Sequence, residues 1–210
     1  MKRILLIGDS IRCGYDKYVA MSLEGVAEVA YPNENCRFSS YIIRNLIEWK
    51  EKSGWDDADL VHWNAGLWDN LVMLDGLHLT DIETYGKNVE RICNLIEMLF
   101  PSAKMIFATS TPVQEELFTR HKRYNRDIEA YNAVAVEIVK KHGGVINDLY
   151  ATMSACPVSY HSDLTHYYTK DGTRVITDQV LAHIEAALNI HGKPLDYDAL
   201  FKKTDDIIGV

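Results

Sequence analysis

The sequence predicts an α/β fold in which helices cover both faces of a mostly parallel, five-stranded sheet. Three observations lead to this prediction. Short apolar segments alternate with longer segments of helical periodicity. Turn-forming Gly, Pro, Asn and Asp residues separate these segments. No internal repeat interrupts the order, so successive βαβ units in a three-layer α/β/α sandwich follow.

Each apolar segment is short and continuous, as expected of a strand that is buried on both faces. Gly8 ends the first segment and Pro32 closes the second. The predicted strands cover residues 4–7, 27–31, 58–64, 104–109 and 145–148. The carboxyl ends of parallel strands meet at one edge of a sheet, where ligands bind in such folds.

A segment with helical periodicity follows each predicted strand. The predicted helices cover residues 11–23, 40–50, 81–100, 125–142 and 170–188. We assign residues 1–190 to one domain and residues 191–210 to a C-terminal extension. This extension lies over the domain surface or joins a partner chain. The sequence therefore does not decide between a monomer and a homo-oligomer.

Composition narrows the class of protein. The 210 residues carry a formal net charge of −8, which disfavours binding to nucleic acid or to an anionic membrane. No apolar stretch has the length of a membrane span. The apolar run at residues 4–7 is too short for a secretory signal, so we expect a cytoplasmic protein, or a secreted one if a leader was removed. The four cysteines lack the paired spacing of a metal site, so we expect no metal.

The tripeptide Gly8-Asp9-Ser10 lies at a predicted turn from strand to helix. The hydroxyl of Ser10 is therefore placed at the ligand-binding edge of the sheet, next to helix amides that stabilise anions. A serine at this position acts as a nucleophile or only as a helix N-cap, and the tripeptide alone does not decide. We expect Asp9 to bond to the backbone.

A second motif, Asp163-Leu164-Thr165-His166, precedes the last predicted helix. An aspartate and a histidine at this spacing can meet on one turn. The carboxylate then fixes the imidazole tautomer and stabilises the imidazolium, which is what a serine nucleophile needs. Alone, the pair also fits an ordinary surface loop.

Together the two motifs resemble the SGNH (GDSL) hydrolase family of esterases and lipases. The resemblance covers residues 1 to about 190, including the flavodoxin-like alternation of strands and helices. It implies an α/β/α fold and hydrolysis of acyl esters with no metal or organic cofactor. It also implies that Ser10 is the nucleophile, His166 the general base and Asp163 the residue that orients His166.

The oxyanion hole departs from the family pattern after the second strand. The resemblance implies three donors: the N–H of Ser10, a glycine N–H after the second strand and an Asn side chain after the third. Asn35-Cys36-Arg37 stands where the glycine is expected. A backbone N–H needs no particular side chain, so we expect Cys36 to donate.

A second departure follows the third strand. Gly66-Leu67-Trp68-Asp69 has Trp in place of the expected Asn. We assign the missing donor to Asn64, with Asn70 as second choice, although Asn64 could instead bond to its own loop. Losing one such donor costs roughly 100- to 1000-fold in rate.

The polar loops suggest the substrate. We expect Asn35, Trp68 and Asn70 to bind it, with Trp68 stacking on a sugar ring. The favoured function is a serine esterase that removes an acyl group, most simply acetyl, from a carbohydrate or a similar small polar alcohol. The alternatives are a thioesterase or lysophospholipase with the same triad, and a catalytically degenerate binding module.

Overall fold

The computed structural model describes residues 1–202. Its five-stranded sheet has the order β2-β1-β3-β4-β5, and all neighbouring strands are parallel. The strands are β1 (Lys2–Ile7), β2 (Ala27–Ala30), β3 (Leu60–Trp63), β4 (Lys104–Ala108) and β5 (Val145–Asn147). This is the flavodoxin-like order, and it confirms the predicted fold class.

Helices cover both faces of the sheet. Those of the described residues are α1 (Ser10–Ser22), α2 (Ser39–Ser53), α3 (Ile82–Leu99), α4 (Asn125–Lys141), α5 (Leu149–Ser154), α6 (Lys170–Leu188) and α7 (Tyr197–Lys202). Every predicted helix is present, and two short helices were not predicted: α7, in the C-terminal extension, and α5, which follows β5. That helix is a short turn capped by Asp148, whose side chain accepts a hydrogen bond from the N–H of Ala151 at 3.1 Å, and it is too short to show helical periodicity.

The apolar run of β1 lies between two separate cores. Leu5 and Ile7 pack with α2, α3 and α4, whereas Ile4 and Leu6 pack with α1 and α6 on the opposite face. None of the four is more than 1% exposed. Side chains alternate between the faces of a strand, so burial on both sides explains why β1 is continuously apolar.

Helix α1 begins directly after β1, and its N-cap is Asp9. The Asp9 carboxylate accepts a hydrogen bond from the N–H of Ile11 at 2.9 Å, as expected of a residue that bonds to the backbone. Ser10 is the first residue of the helix, so its hydroxyl does not serve as the cap. The N-cap alternative for Ser10 is therefore wrong.

The described part of the C-terminal extension packs on the domain. Ser22 of α1 and Lys193 exchange two hydrogen bonds, each 2.8 Å long. Tyr18 stacks on Phe201 with a centroid distance of 5.9 Å, and the Tyr197 hydroxyl donates to Asp178 of α6 at 3.0 Å. Residues 203–210 of the predicted extension lie outside the described residues. Within residues 1–202, no helix has the length and apolarity needed to cross a bilayer.

Candidate active site

The structure brings Ser10, His166 and Asp163 together at the carboxyl edge of the sheet. Ser10 Oγ lies 2.7 Å from His166 Nε2, and His166 Nδ1 lies 2.7 Å from Asp163 Oδ2. The other carboxylate oxygen of Asp163 accepts the N–H groups of Thr165 at 2.7 Å and His166 at 2.8 Å. A hydroxyl, an imidazole and a carboxylate are thus connected by continuous hydrogen bonds, the arrangement that activates a serine.

The environment of Asp163 keeps it ionised. Burial acts to raise its pKa, but the backbone N–H groups of Thr165 and His166 and the imidazole outweigh burial, so the pKa lies below its usual value. The carboxylate can therefore accept the Nδ1–H of His166 at neutral pH and leave Nε2 to face Ser10.

The loop after β2 does not offer the donor that we predicted. The N–H of Cys36 donates to the carbonyl of Gly8 at 3.0 Å, and the N–H of Arg37 donates to Asn35 Oδ1 at 2.8 Å. One N–H cannot also serve an oxyanion while it bonds inside the protein, so the structure contradicts the prediction for Cys36. Arg37 adopts a left-handed conformation, with φ of 52°, in the region where the family has a glycine.

Arg12 holds the loop after β2 against the turn at Gly8. It is 1% exposed, and it forms an ion pair with Asp16 and donates to the carbonyls of Glu34 and Gly8. The guanidinium therefore joins α1, the turn at Gly8 and the loop after β2. This role of Arg12 was not predicted, although its i,i+4 spacing from Asp16 was a signal for it in the sequence.

Asn64 lies against the turn at Gly8, between β1 and α1. Its side chain is buried, and neither of its polar atoms has a hydrogen-bond partner among the described residues. A Cβ on Gly8 would lie 1.8 Å from Asn64 Oδ1, so only glycine lets the amide approach this closely. The alternative that Asn64 bonds to its own loop is therefore wrong. Buried amides without partners are rare in proteins, and the amide of Asn64 acts on the buried carboxylate of Asp9, where it lowers the pKa that burial raises.

The N–H of Ser10 is a second available donor. Because Ser10 is the first residue of α1, its N–H has no acceptor inside the helix. It also lies at the positive end of the helix dipole, where negative charge is stabilised.

Two residues predicted to bind the substrate differ in exposure. Asn70 is completely buried, and its N–H closes a turn onto the carbonyl of Gly66 at 2.9 Å, which contradicts direct contact with a substrate. Trp68 is half-buried, so stacking on a sugar stays a prediction. The adjacent Asp69 is buried, which raises its pKa to about 6, and it accepts hydrogen bonds from the N–H and hydroxyl of Ser39 at the start of α2.

A cavity of about 520 Å³ opens beside Ser10. Its lining combines tyrosine rings with amide, basic and acidic groups: Ser10, Arg12, Cys13, Asp16, Lys17, Tyr31, Pro32, Asn33, Glu34, Asn35 and Tyr168. Asn35 is thus the predicted substrate residue that lines this cavity. Burial raises the pKa of Cys13, so its thiol is a poor nucleophile next to Ser10.

Solved structures that are named as lipases and esterases have the same architecture as this chain. A lipase/acylhydrolase from Enterococcus faecalis is 20% identical with a TM-score of 0.73, and the alignment covers 93% of this chain and 100% of that chain. The acetyl xylan esterase AlAXEase is 14% identical with a TM-score of 0.72, covering 87% of this chain and 99% of its own. A GDSL-like lipase from Bacteroides thetaiotaomicron is 18% identical with a TM-score of 0.67, covering 89% of each chain.

These similarities are structural. No family model matches the sequence, and no curated protein matches it. At identities of 14–20%, the solved structures show a common fold, and they agree with the α/β/α fold that the SGNH resemblance implies.

Proposed function

We propose that this protein is a serine ester hydrolase of the SGNH type that forms an acyl-enzyme on Ser10. The observation that carries the proposal is the hydrogen-bonded series from Ser10 Oγ through His166 to Asp163. The fold shared with proteins named as lipases and acetyl xylan esterases supports it.

The reaction follows from the positions of these groups. As Ser10 Oγ attacks the ester carbonyl, His166 Nε2 takes the hydroxyl proton, and the negative charge on the former carbonyl oxygen is stabilised by the N–H of Ser10 and the amide of Asn64. His166 then gives its proton to the departing alcohol. Water attacks the acyl-enzyme in the same way and releases the acid, while Asp163 stabilises the imidazolium in both steps.

The cavity beside Ser10 supports a small acyl group on a polar alcohol. Its lining offers Lys17, Asn33 and Asn35 for hydroxyl groups and Tyr31 as an aromatic surface for a sugar ring. An acetyl ester of a carbohydrate or of a similar small alcohol fits this chemistry. The alternative of a thioesterase or lysophospholipase requires an apolar channel for a long acyl chain.

The first experiment replaces the nucleophile. Ser10→Ala should abolish both ester hydrolysis and labelling by a fluorophosphonate, whereas the exposed Ser102→Ala should retain both. Labelling that survives in Ser10→Ala would remove Ser10 from the mechanism. A series of p-nitrophenyl esters then tests the acyl group, because faster turnover of octanoate than of acetate favours the long-chain alternative.

A binding module that holds a ligand without turnover is the second candidate. It is favoured by the engaged N–H of Cys36, which leaves the oxyanion hole with one backbone donor fewer than the family pattern. The absence of hydrolysis and of fluorophosphonate labelling in the parent protein would support this candidate.

A further inference from the structure

Tyr168 contacts both Ser10 and His166. Its ring stacks on the imidazole of His166 with a centroid distance of 4.7 Å and an interplanar angle of 17°. Its hydroxyl donates to the backbone carbonyl of Ser10 at 2.6 Å. One side chain therefore bonds to the backbone of the nucleophile and covers one face of the base.

The position of His166 needs such a restraint. Asp163 holds the Nδ1 edge of the imidazole, but the Asp163 side chain is 50% exposed and lies in the loop before α6. A hydrogen bond along one edge of a ring lets that ring tilt about the bond. A second ring stacked on its face opposes the tilt, and Tyr168 supplies that ring.

We propose that Tyr168 is a positioning residue that holds the imidazole of His166 in line with Ser10 Oγ. This inference rests on the roles of Ser10 and His166 in the proposed function. Tyr168 takes no part in bond making, since its hydroxyl is occupied by the carbonyl of Ser10.

Gly14 provides the space for the ring of Tyr168. A Cβ on Gly14 would lie 2.7 Å and 2.9 Å from two ring carbons of Tyr168. Gly14 lies inside α1, where glycine is less stable than alanine by roughly 1 kcal/mol. Alanine at position 14 would therefore stabilise the helix but displace the ring of Tyr168. This substitution separates the stability of the protein from the position of the ring in an experiment.

Two substitutions of Tyr168 separate its ring from its hydroxyl. Tyr168→Phe keeps the stacked ring and should lower kcat for p-nitrophenyl acetate by about 3- to 10-fold, the order of effect of one hydrogen bond. Tyr168→Leu loses both contacts and should lower kcat by about 30- to 100-fold, the effect of misplacing a reacting group. KM should change by less than about 3-fold in both variants, because the loss is in the chemical step.

Tyr167→Phe is the matched control. The Tyr167 side chain is buried, and its hydroxyl also donates to a backbone carbonyl, that of Pro112 at 2.9 Å, but it bonds to neither Ser10 nor His166. It should leave kcat unchanged. A low-field NMR resonance from the Nδ1–H of His166 should stay sharp in Tyr167→Phe and Tyr168→Phe and broaden in Tyr168→Leu.

Gly14→Ala provides an independent test in case Tyr168→Leu is unstable. It should lower kcat while the melting temperature stays equal or rises, and it should have no further effect on kcat in the Tyr168→Leu background. The proposal is overturned if folded Tyr168→Leu keeps kcat within about twofold of the parent with a sharp resonance, or if Tyr167→Phe is equally impaired. If Ser10→Ala retains activity, the proposed function fails instead.

Discussion

Ser10 Oγ and His166 Nε2 lie 2.7 Å apart although 156 residues separate them in the sequence. The first strand places the serine at the carboxyl edge of the sheet, and the loop before α6 returns the histidine to the same edge. This contact and the buried groups around it determine how the protein should respond to substitution and to pH.

Asp163→Asn should impair the chemical step. An amide in place of the carboxylate can hold the wrong imidazole tautomer, so we expect kcat to fall by at least about 100-fold, towards the roughly 10⁴-fold loss seen in well-studied serine triads. Asp171→Asn, a substitution of a half-exposed carboxylate in the first turn of α6, is the control. A kcat close to that of the parent in Asp163→Asn would show that this carboxylate does not orient His166.

Asn64→Ala should lower kcat with little loss of stability. No hydrogen bond of good geometry joins the amide to another group of residues 1–202, although it acts on the Asp9 carboxylate, while an oxyanion donor is worth about 100- to 1000-fold in rate. Asn70→Ala is the control because Asn70 is equally buried and unpartnered. Steady-state kinetics and thermal unfolding measure the two properties. Equal kcat values for the two variants would count against Asn64 as a donor.

Arg12→Met should destabilise the protein strongly. The substitution leaves the carboxylate of Asp16, 6% exposed, without its cation, and breaking a buried pair in this way costs about 3–5 kcal/mol. The double variant Arg12→Met/Asp16→Leu should recover part of this loss. Urea unfolding measures the free energies, and a loss below about 1 kcal/mol in the single variant would contradict a structural role for the pair.

His142 should make stability depend on pH. Burial acts to lower its pKa, but hydrogen bonds to Glu97 at 2.7 Å and Glu90 at 2.9 Å outweigh burial and raise it above 6.5. A raised pKa in the folded state stabilises the protein below pH 6.5, and this contribution is lost as the pH rises through the folded value. Because both glutamates are about half exposed, we expect less than about 1 kcal/mol.

His142→Gln tests this linkage. The free energy of unfolding of the parent should fall between about pH 6 and pH 8 relative to that of His142→Gln, since the variant cannot gain the proton. Parallel stability curves for the two proteins over this range would show that His142 contributes no linkage. Activity should be unaffected, because His142 lies between α3 and α4, away from Ser10.

Much of this architecture is determined by local sequence patterns. Continuous apolar runs, helical periodicity and turn residues act over a few positions, and they located all five strands and the helices that cover the sheet. The pairing of Asp163 with His166 could also be predicted, because residues three positions apart on one turn bring their side chains together. Helix α5 was missed since it depends on a single cap at Asp148.

The proposed oxyanion hole shows what local sequence patterns leave undetermined. Residue type does not say where a backbone N–H points, so the bond from Cys36 to Gly8 was invisible in the sequence. Neither could the sequence say that Asn64 lies unbonded against Gly8, or that Asn70 is enclosed. Each of these depends on how loops from different strands pack against each other.

The sequence by itself therefore determined the α/β/α architecture and the edge of the sheet at which the proposed site lies. Only the tertiary structure decided which groups face Ser10, which are already bonded, and that Tyr168 covers His166. The physical reason is range: periodicity and capping act within one element, whereas donor direction, burial and ring stacking arise between elements that are distant in the chain.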